Sequence, residues 1–458
     1  MKYFFSLFFL ILFHVVSAQD ITGPWHGSLD VQGKKLPLIF TIVAKGQNFF
    51  TRMQSPAQGP GSIPADSTMF VNNELTIKAK NLGVVYKAQF KADKFEGVFT
   101  QNGMSFPLIL SRKEDTVRVL ARPQEPKPPF NYQIEEVLVE NKTDSVTLAG
   151  TLTTPKSKKN FPVVILITGS GPQNRDAEMF DHKPFWLIAD DFAKKGIGVL
   201  RLDDRGVGRS SAVLDHTTAT TKDFAGDISA AVDFLAQRGY KNIGLAGHSE
   251  GGMIAPMVAV KNKNVQFMVL LAAPGVDILD LMRLQSREVS RAVGKNEAEI
   301  EKAVQMNYVL NKTLLSIDSS KPLKEIYETE LKKIPVLSFT EEEQALLYRS
   351  VAIFSINEWY KYFIAYKPST MLEKIKIPVL AINGNKDTQV PAKENLAAIA
   401  SALKKAGNKS FKTIEMPGLN HLFQHAKTGS HLEYGFIEET ISPEVLNILS
   451  DWILQVGE

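Results

Sequence analysis

Ile243-Gly244-Leu245-Ala246-Gly247-His248-Ser249-Glu250-Gly251-Gly252-Met253 is the stretch on which the fold turns. Its first four residues read as a short apolar strand and its end opens a helical run. Between them, Gly247-x-Ser249-x-Gly251 spans a tight strand-to-helix turn. A serine at such a turn sits on a sharp, strained backbone and projects its Oγ from the C-terminal edge of a sheet. Close packing of strand and helix asks for glycine at Gly247 and Gly251. The helix N-terminus adds the positive end of a dipole beside any developing oxyanion. A glycine-rich turn with an incidental serine would need neither flanking element.

A serine hydroxyl is a poor nucleophile until a base takes its proton, so a histidine oriented by a carboxylate is expected downstream. Asp387 lies in Asn383-Gly384-Asn385-Lys386-Asp387, directly after a strand ending at Ile382. His421 lies in Pro417-Gly418-Leu419-Asn420-His421, directly after a strand over Phe411 to Met416. Loops at the C-terminal ends of parallel strands are where such a sheet gathers its chemistry. Taken singly, Asp387 reads equally well as a helix-capping aspartate and His421 as a surface loop histidine. The order Ser249, Asp387, His421, each after its own strand, favours a catalytic triad. Asp277, shortly after another strand, is the rival acid.

An oxyanion needs two backbone N–H donors, one from Glu250 after the nucleophile and one from the loop Thr168-Gly169-Ser170-Gly171-Pro172. Ser170 is the second donor expected, with Gly171 the alternative. A phosphate-cradling reading of this loop fails where Asn174 stands in place of glycine. Arg205, in Asp203-Asp204-Arg205-Gly206, reads as a buried arginine that fixes its loop rather than as a substrate contact. His421 and His425 share a metal-ligand spacing, but no glutamate follows His421 as His-Glu-x-x-His requires. No metal and no cofactor are expected.

Working outward, apolar strand runs at Pro162 to Thr168, Val199 to Asp203, Phe267 to Ala272 and Val379 to Ile382 join Ile243 to Ala246. They alternate with helical spacing at Phe185 to Lys195, Phe224 to Gln237, Met253 to Val260 and Ala392 to Lys405. This predicts a mostly parallel sheet covered on both faces, with Ile134 to Val139 and Leu148 to Thr153 at an antiparallel edge. Between Pro274 and Pro378 the spacing is only helical, at Ile278 to Val293, Glu297 to Leu310 and Glu341 to Tyr362. An insertion that long is a domain rather than a loop.

Upstream, apolar residues alternate from Gly23 to Arg112, as in Tyr86, Ala88, Phe90 and Phe106, Leu108, Leu110. Period two predicts half-buried antiparallel strands, in a barrel or a sandwich, and Asn102-Gly103 suits a hairpin turn. Arg122-Pro123-Gln124-Glu125-Pro126-Lys127-Pro128-Pro129 reads as a proline-rich linker. Lys2, the apolar run Tyr3 to Val16 and Val16-Ser17-Ala18 read as a cleaved export signal, too short to span a bilayer.

With 44% hydrophobic residues the chain can fill several cores, and with no cysteine those cores carry its stability. A net charge of +4 is mild, and Lys156-Ser157-Lys158-Lys159 reads as a solvated loop, so no nucleic-acid partner is expected.

Ile167-Thr168-Gly169-Ser170-Gly171-Pro172, Asp203-Asp204-Arg205-Gly206 and Gly247-His248-Ser249-Glu250-Gly251-Gly252 together resemble the α/β-hydrolase superfamily, and within it bacterial secreted serine esterases. The resemblance covers about Gln133 to Glu458. It implies an α/β-hydrolase fold with a helical cap insertion, carboxylesterase activity and the triad roles, and says little of residues 19–132. Many lipases carry His-Gly-Gly where this chain has Thr168-Gly169-Ser170. The expected order is a signal peptide (1–18), a small all-β domain (19–115), a linker (116–132), the core (133–275), the cap (276–370) and the rest of the core (371–458). A small-molecule ester is the expected substrate, without stable membrane insertion, in a periplasmic or secreted protein. Peptidases and acyltransferases on the same scaffold are the alternatives, as is a glycan- or lipid-binding protein built on it.

Overall fold

The structure, a computed structural model, describes residues 20–31, 34–46, 48–56, 62–79, 82–101, 104–113, 122–156, 160–211, 218–318, 320–333 and 339–457. The export segment expected over 1–18, the Asn102-Gly103 turn, residues 114–121 around the linker and 157–159 of the basic loop lie outside them. The chain divides into two compact units, Met1–Val119 and Leu120–Glu458.

In the first unit the strands are β1 (Gly23–Val31), β2 (Lys34–Lys45), β3 (Asn48–Gln54), β4 (Ser62–Pro64) and β5 (Ser67–Val71), followed by β6 (Glu74–Ala79), β7 (Val84–Lys91), β8 (Lys94–Gln101) and β9 (Met104–Ser111). Every pairing is antiparallel, and β9 returns to β1 at Ser111↔His26 while β2 pairs β3. Eight strands therefore close a ring, with β4 added beside β3. Of the two β architectures the sequence allows, this is the barrel, and closure removes the unpaired edges a sandwich would keep. Alternation fills its interior: on β7, Val84, Tyr86, Ala88 and Phe90 are buried between residues that are not. Trp25 meets Phe95 edge-on at 4.5 Å, and Tyr86 sets its hydroxyl 3.1 Å from the carbonyls of both Phe95 and Leu108.

The second unit holds β10 (Tyr132–Asn141), β11 (Val146–Pro155), β12 (Val163–Ile167), β13 (Gly198–Leu202), β14 (Ile243–His248), β15 (Val265–Leu271), β16 (Val379–Gly384) and β17 (Phe411–Met416). They form one sheet in the order β10-β11-β13-β12-β14-β15-β16-β17. It is parallel from β13 to β17 and antiparallel at the β10 edge. Successive residues of β12 explain why it is apolar throughout. Val163, Ile165 and Ile167 enter one core and Val164 and Leu166 the opposite one. The first core packs α2 (Thr221–Gln237), α3 (Gly251–Ala259) and α10 (Ala392–Lys405). The second packs α1 (Pro184–Lys195) and α11 (Pro443–Val456), a terminal helix absent from the sequence expectation.

Between β15 and β16 lie α4 (Ile278–Ala292), α5 (Glu297–Leu315), α6 (Leu323–Lys332), α7 (Glu341–Phe354), α8 (Glu358–Ala365) and α9 (Ser369–Leu372). The single helical run expected over Glu341 to Tyr362 is broken. Asn357 accepts the Tyr360 N–H at 2.9 Å and so starts α8 as a separate helix. The two ends of the insertion meet where the Ile278 N–H donates to the Tyr366 carbonyl at 3.1 Å. Among the described residues no helix is long and apolar enough to cross a membrane.

Residues 122–125, read from sequence as linker, are tied down. Arg122 donates to the carbonyls of Phe180, Gly435 and Ile437. Gln124 donates to the Ile441 carbonyl and accepts the Thr440 N–H.

Candidate active site

The turn after β14 has the strain that its sequence implies. Ser249 takes φ 55°, a left-handed conformation that side chains rarely adopt. Its N–H donates to the Leu271 carbonyl on β15 at 2.9 Å. A Cβ on Gly247 would lie 2.0 Å from the Gly251 oxygen, and one on Gly251 would lie 2.4 Å from the Ile167 oxygen. Only glycine lets α3 start this close to β12 and β14.

A cavity of about 290 Å³ opens above the turn, and Ser249 and His421 both line it, with Ser170 and Glu250. His421 Nδ1 stands 2.7 Å from Asp387 Oδ2. The other oxygen, Asp387 Oδ1, accepts the backbone N–H groups of Gln389 and Val390 at 2.8 Å each. Both side chains are almost wholly buried. The rival acid Asp277 is elsewhere: it begins α4 and faces Lys367 at 3.5 Å on a partly exposed surface. The ring of His248 lies 4.7 Å from that of His421, and its Nε2 is 2.9 Å from the His421 carbonyl. Desolvation, and behind it the neighbouring His421, push the His248 pKa down to about 3. The ring is therefore neutral, and its N–H steadies the His421 backbone.

The loop after β12 is held from below by an aspartate to which the sequence reading gave no role. Asp204 accepts the Thr168 hydroxyl and the Gln173 N–H, each at 2.8 Å. Burial pushes its carboxyl up to about 7 against the pull of these bonds, and the charges of Glu250 and Asp227 push the same way. Gly169 lies close above it: a Cβ there would come within 3.1 Å of the Ser249 Cβ, a tight contact that would press on the turn. Arg205 is buried at 1% exposure and paired to Asp227 and Asp144, which is the loop-fixing role.

Glu250, read from sequence only as a backbone N–H donor, is the second residue whose side chain has a part the sequence did not show. Its carboxyl is buried and accepts the Thr221 hydroxyl at 2.7 Å and the Trp359 indole N–H at 2.9 Å, together with the Ser170 hydroxyl. Burial raises its pKa and the three bonds pull the other way. The cap supplies much of the cavity wall through Leu281 and Met282 on α4 and Trp359, Tyr360 and Phe363 on α8. His425 is exposed and faces Glu439 at 2.9 Å. Among the described residues no group of three or more His, Cys, Asp and Glu could hold a metal ion.

Comparison with known proteins bears on the same region. Residues 184–426, over half of the chain, match the family model described as serine aminopeptidase, S33. Esterase EstD of Thermotoga maritima is 25% identical over 373 residues, covering 79% of this chain and 80% of its own. Among solved structures, the Pyrococcus furiosus esterase Pf2001 aligns with TM-score 0.44 at 17% identity, over 75% of this chain and 100% of that one. A proline iminopeptidase of Mycobacterium smegmatis aligns with TM-score 0.41 at 16% identity, over 70% of this chain and 99% of that one.

Proposed function

The chain belongs to the hydrolase family described as serine aminopeptidase, S33, and on that footing we propose that it cleaves carboxylic esters through an acyl-enzyme on Ser249. The observation that carries the reading is the strained Ser249 sharing one cavity with a His421 whose Nδ1 is held by a buried Asp387. In the reaction His421 Nε2 takes the Ser249 proton as Oγ attacks the ester carbonyl. Asp387 keeps the imidazole in the tautomer that leaves Nε2 free, and stabilises the imidazolium that forms. The backbone N–H groups of Glu250 and Ser170 receive the oxyanion. His421 then returns the proton to the departing alcohol, and a water activated by the same histidine releases the acid.

An ester is favoured over a peptide N-terminus by the charge of the cavity. Its one acidic side chain among the described residues, Glu250, is already engaged by three donors, so a substrate ammonium would find no free carboxylate there. EstD, named an esterase, supports the same choice. The chain is accordingly a hydrolase of the carboxylesterase type. Residues 1–18 would direct export, leaving Gln19 as the first residue of a periplasmic or secreted protein. N-terminal sequencing of protein from those fractions tests this.

The test of the activity is a panel of p-nitrophenyl esters beside aminoacyl p-nitroanilides, with labelling by a serine-directed phosphonate. The expected result is ester turnover that stops in proportion to labelling at Ser249. Turnover of the anilides alone, or labelling at another serine, would overturn it.

A further inference from the structure

Beside Ser249, the proposed chemistry asks of residue 250 only its backbone N–H and makes no demand on its side chain. This chain places a carboxyl there and buries it at 2% exposure. A carboxyl is among the groups least often found inside a protein and is kept there only when fully hydrogen-bonded. The Glu250 carboxyl is bonded from three directions: by Thr221 in the first turn of α2, by Ser170 in the loop after β12, and by Trp359 on α8 of the cap. The first two belong to the core. The third joins the cap to the nucleophile turn across 109 residues of chain.

Trp359 is not a passive end of that bond. Its ring stacks on Phe363, with centroids 5.3 Å apart and planes 22° from parallel, and both rings line the cavity that Ser249 opens into. Buried indole N–H groups need an acceptor, and the acceptor fixes where the ring stands. Behind it the same helix is braced on α5, where the Tyr360 hydroxyl donates to Asn311 at 2.8 Å. Without an acceptor at Glu250, the Trp359 ring loses the polar contact that fixes its χ angles and keeps only its stacking on Phe363, while the Tyr360 bond still holds the helix.

We propose that the Glu250 carboxyl latches Trp359 over the nucleophile and so sets the depth of the acyl-binding cavity, making this pair the determinant of acyl-chain length. Glu250 acts as a positioning residue and Trp359 as the wall it positions. The inference rests on the ester-hydrolase reading above, because it presumes that an acyl group occupies this cavity.

The readout is the ratio of kcat/KM for p-nitrophenyl hexanoate to that for the acetate. Both are measured on one preparation, so the ratio does not depend on how much of it is folded. Glu250→Ala and Trp359→Phe should each move the ratio by about tenfold in the same direction, and the double variant should move it no further. Glu250→Gln, whose amide oxygen still accepts the indole N–H, should keep the ratio within about twofold of the wild type. The shift should appear in KM for hexanoate more than in kcat. If Glu250→Ala does not fold, Trp359→Phe and Glu250→Gln still decide: an unchanged ratio in the first or a tenfold change in the second overturns the latch. Additive effects in the double variant overturn it as well. A wild-type protein that cleaves no ester would instead sink the functional reading itself.

Discussion

Asp387 fastens one carboxylate oxygen to the backbone N–H groups of Gln389 and Val390 and holds His421 Nδ1 at 2.7 Å with the other. This fixes the carboxylate before it orients the histidine. Asp387→Asn should lower kcat by about four orders of magnitude, because an amide facing Nδ1 favours the tautomer with its proton on Nε2. Asp277→Asn should change kcat by less than about threefold, since it disturbs only a partly exposed pair with Lys367. Steady-state kinetics on both variants decide, and the reverse ranking would move the acid to Asp277.

Ser249→Ala removes only the Oγ proposed to attack, from a turn whose shape is held by its glycines and by the bond to Leu271. Turnover should fall by about six orders of magnitude, with an unfolding midpoint close to that of the wild type. Substantial residual hydrolysis by the pure variant would remove Ser249 from the nucleophile's role.

Gly247→Ala sets a methyl against the Gly251 carbonyl at 2.0 Å, a backbone contact that no rotamer relieves. Denaturant unfolding should show a loss of about 3 kcal/mol, with activity lost as the turn shifts. Gly294→Ala, at φ 82° with open space around it, carries only conformational strain and should cost about 1 kcal/mol with activity intact. Equal losses in the two variants would mean that packing is not what selects glycine at the turn.

Asp204 gives the stability a pH dependence of definite sign. Its carboxyl titrates near 7 in the folded chain and at about 4 in the unfolded one, so between these values the folded state holds a proton that the unfolded state lacks. The resulting stabilisation is complete below about pH 4 and is lost as pH rises through 7, an effect on the order of a few kcal/mol. Asp204→Asn should therefore flatten the decline in unfolding free energy between pH 4 and 8. A wild type that gained stability over the variant as pH rose would contradict this.

Much of the core was legible because β12 to β16 are short, largely apolar runs with a helix or the cap between successive members, and local periodicity reports local structure. The strand at Phe411 and the helix at Ala392 fall where the spacing puts them. The turn at Ser249 was legible because Gly247 answers to a contact with Gly251 inside the same turn, and the strand and helix that flank it are read locally, although Gly251 itself answers to Ile167 on β12. What was not legible depends on partners distant in sequence. Barrel closure rests on Ser111 meeting His26, the bracing of the loop after β12 on Asp204, and the Glu250 bond on Trp359. A glutamate beside Ser249 and a tryptophan in a helical insertion carry no pattern that links them until the chain folds. The break between α7 and α8 could have been read, since Asn357 is a good helix cap followed by Glu358.

The insertion itself should set substrate selectivity. Its two ends meet where Ile278 donates to Tyr366 at 3.1 Å, so the segment between them can be removed and a short glycine-serine linker can join neighbours. Leu281, Met282, Trp359, Tyr360 and Phe363 leave with it, and with them one apolar side of the cavity. Burying one methylene is worth about 0.8 kcal/mol, a factor of about four in kcat/KM for each carbon added to the acyl chain until the cavity is full. In the intact protein a series of p-nitrophenyl esters should climb by steps approaching that factor and then fall. In the truncated protein the climb should flatten to nearly one per carbon, because the chain then lies against water. Circular dichroism and gel filtration establish that the truncated protein is folded before the series is run. If it folds and its steps match those of the intact enzyme, the acyl chain does not lie against the cap, and selectivity belongs to the core walls formed by Phe185, Ile188 and Phe423.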